Sequence, residues 1–148
     1  MEIEIGSLLP GERECWAELW RLYLEFYHSE VPAARYDITW RRLLEGHDFA
    51  GLGARWDGRL VGIAHYLFHT HTWMDDVCYL GDLYVDPSMR GQGVGGKLIA
   101  RLAEICEARG CPKLYWNTHQ TNTTARRLYD QVATFKGSIR YEHNALKP

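Results

Sequence analysis

The chain has 148 residues, 46% of them hydrophobic and 13% aromatic, which fits a single domain over residues 1–148 with a sizeable apolar core. Lys+Arg 17 against Asp+Glu 19 gives a formal net charge of -2, and no basic cluster interleaves with aromatics as a DNA or RNA reader requires. Charge breaks every apolar stretch within a few residues and the start, "MEIEIGSLLPGERE", has no basic leader, so a soluble cytoplasmic protein without a membrane span is expected.

In chain order, "EIEIGSL" alternates and reads as a strand. Residues 12–29 then place Trp16, Leu19, Trp20, Tyr23, Phe26 and Tyr27 at helical spacing. "DITWRRLLEG" reads as a second, short helix with Asp37 as N-cap and Gly46 as stop. "FAGLGARW" and "RLVGIAHYLFHTH" flank the turn residues Asp57 and Gly58 and predict a hairpin. His65, His69 and His71 recur with period two along the hairpin's second strand; without a carboxylate or thiolate partner such a row lines a solvated or cleft-facing strand, and no metal is expected. "CYLGDLYV" is a further strand. Leu98, Ile99, Leu102, Ala103, Ile105 and Cys106 mark a helix that stops at Gly110, and "KLYWNT" follows as a strand. Asn122 opens a helix carrying Ala125, Leu128, Tyr129 and Val132, and a last strand is expected around "SIRYEH". The resulting order is βααβββαβαβ, a mixed α/β fold. Cysteines 15, 78, 106 and 111 form no CxxC pair and are expected to be reduced core thiols.

The stretch "VDPSMRGQGVGGKLI" fits three phosphate-binding patterns. A dinucleotide fingerprint is excluded, because five residues separate Val85 from Gly91 and "YWNTH" lacks an acid at the tip of the following strand. A Walker A loop is excluded because Leu98 stands where Ser or Thr would hold magnesium. What survives is a glycine-rich entry to a helix, whose unpaired backbone N–H groups and dipole suit a pyrophosphate, with Arg90 adding charge; a closely packed turn is the alternative.

Taken with "NTTARRLY", residues 122–129, the segment "LYVDPSMRGQGVGGKLI" resembles the GCN5-related N-acetyltransferase (GNAT) superfamily, nearest its Hpa-type and polyamine acetyltransferase branch. The resemblance implies the acyl-CoA N-acyltransferase fold with splayed central strands, and acetyl-CoA as co-substrate. Leu83, Tyr84 and Val85 would then meet the pantetheine arm, and Arg90, Gly91, Gln92, Gly93, Val94, Gly95 and Gly96 the pyrophosphate. Asn122, with Ala125 on the same helix, either reaches the cofactor or only caps its helix. Tyr129 matches the acid that protonates the departing thiolate, and a core-packed tyrosine is the alternative.

The polyamine-type relatives carry "LED" with a glutamate base, where this chain has Gly81 before Asp82. Asp82 then serves as base, binds the cationic amine, or pairs with a basic neighbour for structure alone; His65, His69, His119 and water are the other bases. Trp20, Tyr23, Phe26, Tyr27 and Trp40, with Glu25, Glu30 and Asp37, offer aromatic walls and carboxylates to a small cation, unless the stripe is simply core. The expected activity is acetyl transfer to a small primary amine: a polyamine, diamine, amino acid or amino sugar. A protein lysine or N-terminal acetyltransferase, or a non-catalytic acetyl-CoA-binding module, is the alternative. A homodimer paired through the C-terminal segment "GSIRYEHNALKP" is also expected.

Overall fold

The computed structural model describes residues 2–146, and the chain divides into two compact units, residues 1–117 and 118–148. In the first unit five strands form one mixed sheet in chain order: β1 (Ile3–Ser7), β2 (Ala50–Trp56), β3 (Arg59–His69), β4 (Val77–Val85) and β5 (Leu114–Tyr115). The first four pair antiparallel, while β5 lies parallel to β4. A parallel neighbour requires a crossover, and α3 (Val94–Arg109) supplies it. Helices α1 (Arg13–Phe26) and α2 (Ala33–Glu45) connect β1 to β2.

Two adjacent residues of β3 identify the layers. Ile63 packs into the cluster of Leu8, Trp16, Leu19, Trp20, Trp40 and Leu43, whereas a Cβ at Gly62 would meet Val94 and Leu98 of α3 at 3.1 and 3.2 Å. Successive strand residues point to opposite faces, so α1 and α2 cover one side of the sheet and α3 the other. The aromatic spacing of α1 exists because this face is core: Trp16 is wholly buried, its ring 5.2 Å from Trp20 and 5.0 Å from Trp40. Such ring pairs add about 0.5–1.5 kcal/mol each beyond the area they bury. At the edge of this layer Arg55 of β2 holds Glu12 through two bonds of 2.6 and 2.5 Å and the Ser7 carbonyl at 2.7 Å, fastening the start of α1 to the sheet.

Several boundaries differ from the sequence expectation. α1 spans Arg13–Phe26, and Glu12 instead ends a 3-10 turn, Pro10–Glu12. α2 starts at Ala33 with Pro32, whose φ of -59° is already set for a helix, as N-cap; Asp37 lies inside and pairs with Arg13 rather than capping. β3 ends at His69, so His71 falls outside the strand and the histidine row breaks. Cys78 and Cys106 are buried thiols, but Cys15 is exposed and Cys111 half-buried; all four are free.

The second unit contains α4 (Thr123–Val132), and the rest of its described residues form no regular element. The expected last strand around "SIRYEH" is therefore absent from the described residues, although its alternation is present in the sequence. Among the described residues no helix is long and apolar enough to cross a membrane.

Candidate active site

β4 carries the irregularity on which the site is built. Its pairing with β3 runs Gly62↔Val85, Ile63↔Tyr84, Ala64↔Leu83 and His65↔Asp82, then resumes at Tyr66↔Leu80, leaving Gly81 without a partner. One extra residue in one strand is a β-bulge, which bends the strand and redirects its side chains. β5 pairs only Cys78 and Tyr79, so beyond the bulge the outer edge of β4 has no strand beside it among the described residues. The Asp86 N–H donates to the Val61 carbonyl at 2.8 Å, and the alternation of an antiparallel ladder then turns the N–H and C=O groups of Leu83 and Val85 away from β3. That is an open strand edge of the kind an extended amide chain can join.

Past Val85, Asp86 accepts from the Ser88 N–H at 2.9 Å and its hydroxyl at 2.8 Å, capping the turn Pro87–Met89. Met89 is buried beneath it. Arg90 Nε donates to the Val85 carbonyl at 3.3 Å, and its guanidinium lies 5.2 Å from the Tyr84 ring centre. Gly91 and Gly93 have φ of +79° and +78°, values that favour glycine, and nothing stands within 4 Å of where either Cβ would be. Gly93 is the N-cap of α3 and offers no side-chain cap, while Lys97 N–H makes the helix's first bond to its carbonyl at 3.0 Å. The N–H groups of Val94, Gly95 and Gly96 thus precede that first bond, at the positive end of the helix dipole. Buried Val94 and Leu98 anchor the helix against Gly62, so the loop is held firmly at one end and open at the other.

At the bulge Asp82 ends a chain of three side chains from three elements. Trp16 Nε1 donates to His65 Nε2 at 2.9 Å, and His65 Nδ1 lies 2.8 Å from Asp82 Oδ2. An indole nitrogen can only donate, so Nε2 holds the lone pair and Nδ1 the proton given to Asp82. His65 is buried, while the Asp82 side chain keeps 27% of its surface exposed. Burial alone would raise the Asp82 carboxyl, but hydrogen bonding and electrostatic attraction from His65, with smaller contributions from Tyr23 and Trp20, hold it below the usual carboxylate range.

The Trp20 indole N–H is buried without a partner at ordinary hydrogen-bond geometry, so it acts on Asp82 as a nearby dipole. Tyr23 Oη donates to the Gly81 carbonyl at 3.3 Å. Burial, then the Asp82 charge, pushes the Tyr23 and Tyr27 phenols upward, so both stay neutral. Their rings are 4.9 Å apart, giving Asp82 an aromatic flank.

The structure thus pairs Asp82 with a basic neighbour, one of the three roles the sequence left open for it, identifies that neighbour as His65, and adds Trp16, which sequence reasoning missed. Its one signal was a histidine inside the apolar run "GIAHYLF". Held by Trp16 and Asp82, His65 is a connector rather than a free base. His69 is also engaged, with Nδ1 2.9 Å from the Thr70 carbonyl and Nε2 2.7 Å from the Tyr115 hydroxyl. Of the expected acceptor walls, Trp20 and Trp40 are core, Glu25 pairs with Arg21 and Asp37 with Arg13, and Phe26 and Glu30 are exposed, the Phe26 ring 5.1 Å from that of Tyr27, while Tyr23 and Tyr27 lie beside Asp82. In the second unit Asn122 caps α4, accepting from the Ala125 N–H at 3.4 Å and donating to Thr118 Oγ1 at 3.3 Å. Ala125 and Tyr129 lie one helical turn apart on α4, both half-buried.

The family model described as the acetyltransferase (GNAT) family matches residues 16–135. The chain is 32% identical over 146 residues to the D-amino-acid N-acetyltransferase HPA3 of Saccharomyces cerevisiae, covering 96% of this chain and 91% of that one. It is 31% identical over 129 residues to the thialysine N-epsilon-acetyltransferase of Caenorhabditis elegans, covering 87% and 81%. Among solved structures, the ribosomal-protein-alanine N-acetyltransferase of Brucella melitensis biovar Abortus 2308 superposes with a TM-score of 0.82 at 26% identity, over 97% of this chain and 99% of that one. AAC(6')-Iy in complex with the bisubstrate analog CoA-S-monomethyl-acetylneamine shares the fold, with a TM-score of 0.84 at 19% identity over 97% and 99%.

Proposed function

The chain belongs to the acetyltransferase (GNAT) family and is an N-acetyltransferase, and from that premise we propose that it moves the acetyl group of acetyl-CoA directly to a small cationic primary amine. The observation that carries this reading is the arrangement along β4: an open glycine loop at the N-terminus of α3 follows a strand whose outer edge is free beyond the bulge, and the bulge presents an ionised Asp82 flanked by Tyr23 and Tyr27. In this reading the backbones of Leu83 and Val85 pair with the pantetheine amides, while Tyr84 between them turns its N–H and C=O toward β3. Arg90, with Gly91, Gln92, Gly93, Val94, Gly95 and Gly96, holds the pyrophosphate against the helix dipole. Asn122 and Ala125 form the entry of the helix that carries Tyr129. The family match runs through both compact units, which supports reading the chain as one catalytic domain.

The reaction follows from those roles. The acceptor arrives as an ammonium, attracted to Asp82, and loses one proton to water. A carboxylate held below its usual range is a strong anchor and a weak base, and His65 has both ring nitrogens engaged. The amine lone pair attacks the thioester carbonyl, the C–N bond forms, and the tetrahedral intermediate collapses with loss of the thiolate. Tyr129 gives its phenolic proton to that sulfur and regains one, through water, from the adduct nitrogen, which thereby becomes the neutral amide. The products are the N-acetyl amine and CoA. Four free cysteines fit a reducing cytoplasm.

Thiol release from acetyl-CoA tests the reading with a panel of thialysine, D-alanine, spermidine, an aminoglycoside and an N-terminal alanine peptide. Turnover is expected with one or more of the small amines. Turnover with the peptide alone would make the protein a peptide acetyltransferase. Acetyl-CoA binding without turnover on any amine would mark a non-catalytic module, and either result overturns the proposal.

A further inference from the structure

Trp16, His65 and Asp82 lie on α1, β3 and β4, and the sequence distances between them, 49 and 17 residues, mean that only the finished fold brings them together. Stability alone does not explain the chain. A buried polar network contributes little beyond apolar residues of equal volume, while a member left unpaired is costly. Trp16 is wholly buried and His65 nearly so, yet the chain emerges at a carboxylate that solvent can reach. Each link is directional. Trp16 can only donate, so it fixes the tautomer of His65; that tautomer directs a proton at Asp82 Oδ2. Tyr23 on the same side bonds the Gly81 carbonyl, holding the bulge from which Asp82 projects. The direction of the chain is therefore from core to surface, ending on the group that meets the acceptor.

We propose that His65, set in one tautomer by Trp16, is a positioning residue that holds Asp82 in a single orientation and so determines how well the enzyme recognises a cationic acceptor. The inference rests on the reading of Asp82 as the amine anchor. It predicts an effect on acceptor KM rather than on kcat, because His65 acts through Asp82 and touches neither the thioester nor the departing sulfur. It also predicts that the two ring nitrogens are separable. An asparagine amide N–H can take the place of Nδ1 and still donate to Asp82, whereas a glutamine carbonyl can take the place of Nε2 and accept from Trp16 while leaving Asp82 without its donor.

The test measures kcat and KM for thialysine, spermidine and D-alanine at saturating acetyl-CoA in the wild type, Asp82→Asn, His65→Gln and His65→Asn, with acetyl-CoA affinity as the check on folding. For the preferred acceptor, Asp82→Asn should raise KM at least about 10-fold, and His65→Gln about 5- to 20-fold with kcat within about 3-fold of wild type. His65→Asn should recover most of that loss. Equal behaviour of His65→Gln and His65→Asn, or a loss confined to kcat, would overturn the positioning role. An unchanged KM in Asp82→Asn would overturn the anchor reading beneath it, and no thiol release by the wild type with any small amine of the wider panel, the aminoglycoside included, would overturn the proposed function itself. If His65→Gln loses acetyl-CoA affinity through misfolding, Trp16→Phe decides the matter: it removes the N–H that sets the tautomer along with one ring of the indole, acetyl-CoA affinity again checks the fold, and an unchanged acceptor KM there rejects the inference.

Discussion

Asp82 shows how far a single residue can be interpreted before its neighbours are known. Its carboxylate in "LGDLYV", next to a glycine where related motifs carry glutamate, permits base, anchor or structural partner. The choice depends on the sign of its pKa displacement. Burial favours a raised value and a base; His65, bonded at 2.8 Å, reverses that sign, which supports the anchor proposed above. The partner was not legible because the 17-residue separation says nothing until the strand register, including the bulge, is known. Tyr129 is the opposite case, since its motif and its place one turn after Ala125 are visible in the chain itself. As the proposed acid it should lose only a proton donor on conversion to Phe, so Tyr129→Phe should lower kcat by roughly 10²- to 10⁴-fold with acetyl-CoA affinity nearly unchanged. Full turnover with chemistry rate-limiting would transfer the acid role to water or another group.

At the scale of the element, the glycine loop and α3 were legible in order and position because glycine spacing, an apolar stripe and a C-terminal Gly110 are local signals. The bulge was not, since Gly81 has no conformational signature: its φ is not in the left-handed region, and a Cβ there would meet only ordinary contacts, the nearest at 3.7 Å. The length of β5 was equally hidden. "KLYWNT" has strand character throughout, but only Leu114 and Tyr115 pair, with Cys78 and Tyr79, just before the bulge at Gly81. For the loop, the anion reading makes a specific demand. Gly93→Asp has room for its side chain and puts a carboxylate at the N-terminus of α3. Acetyl-CoA affinity should fall at least about 100-fold, measured by calorimetry, as like charges meet at close range. Gly93→Asn, with the same backbone strain and no charge, separates charge from strain; if both variants lose affinity equally, the pyrophosphate assignment of this loop is wrong.

At the scale of the whole chain, the largest departure from expectation concerns the C-terminal segment. "GSIRYEH" alternates as a strand does, yet residues 134–146 form none, and Phe135, Ile139, Tyr141 and Leu146 are 69%, 76%, 86% and 78% exposed. Alternation marks a face to be buried; it does not say against which chain. Ile139 and Tyr141 alternate with Arg140 and Glu142 as in a strand that buries one face, a pattern suited to pairing with another strand. Lone exposed apolar residues are ordinary, but four within twelve positions suit burial against a partner. A second copy of the chain carries the same segment, and two such segments related by a twofold axis satisfy each other in an isologous contact. The protein is therefore expected to be a dimer, with a mass by light scattering near twice 17.2 kDa at micromolar concentration. Ile139→Asp with Tyr141→Asp would place charge on the pairing face and should return the mass to that of the monomer while leaving acetyl-CoA affinity in place. A monomeric wild type would reject this pairing, and a double variant that stays dimeric would move the interface elsewhere on the surface.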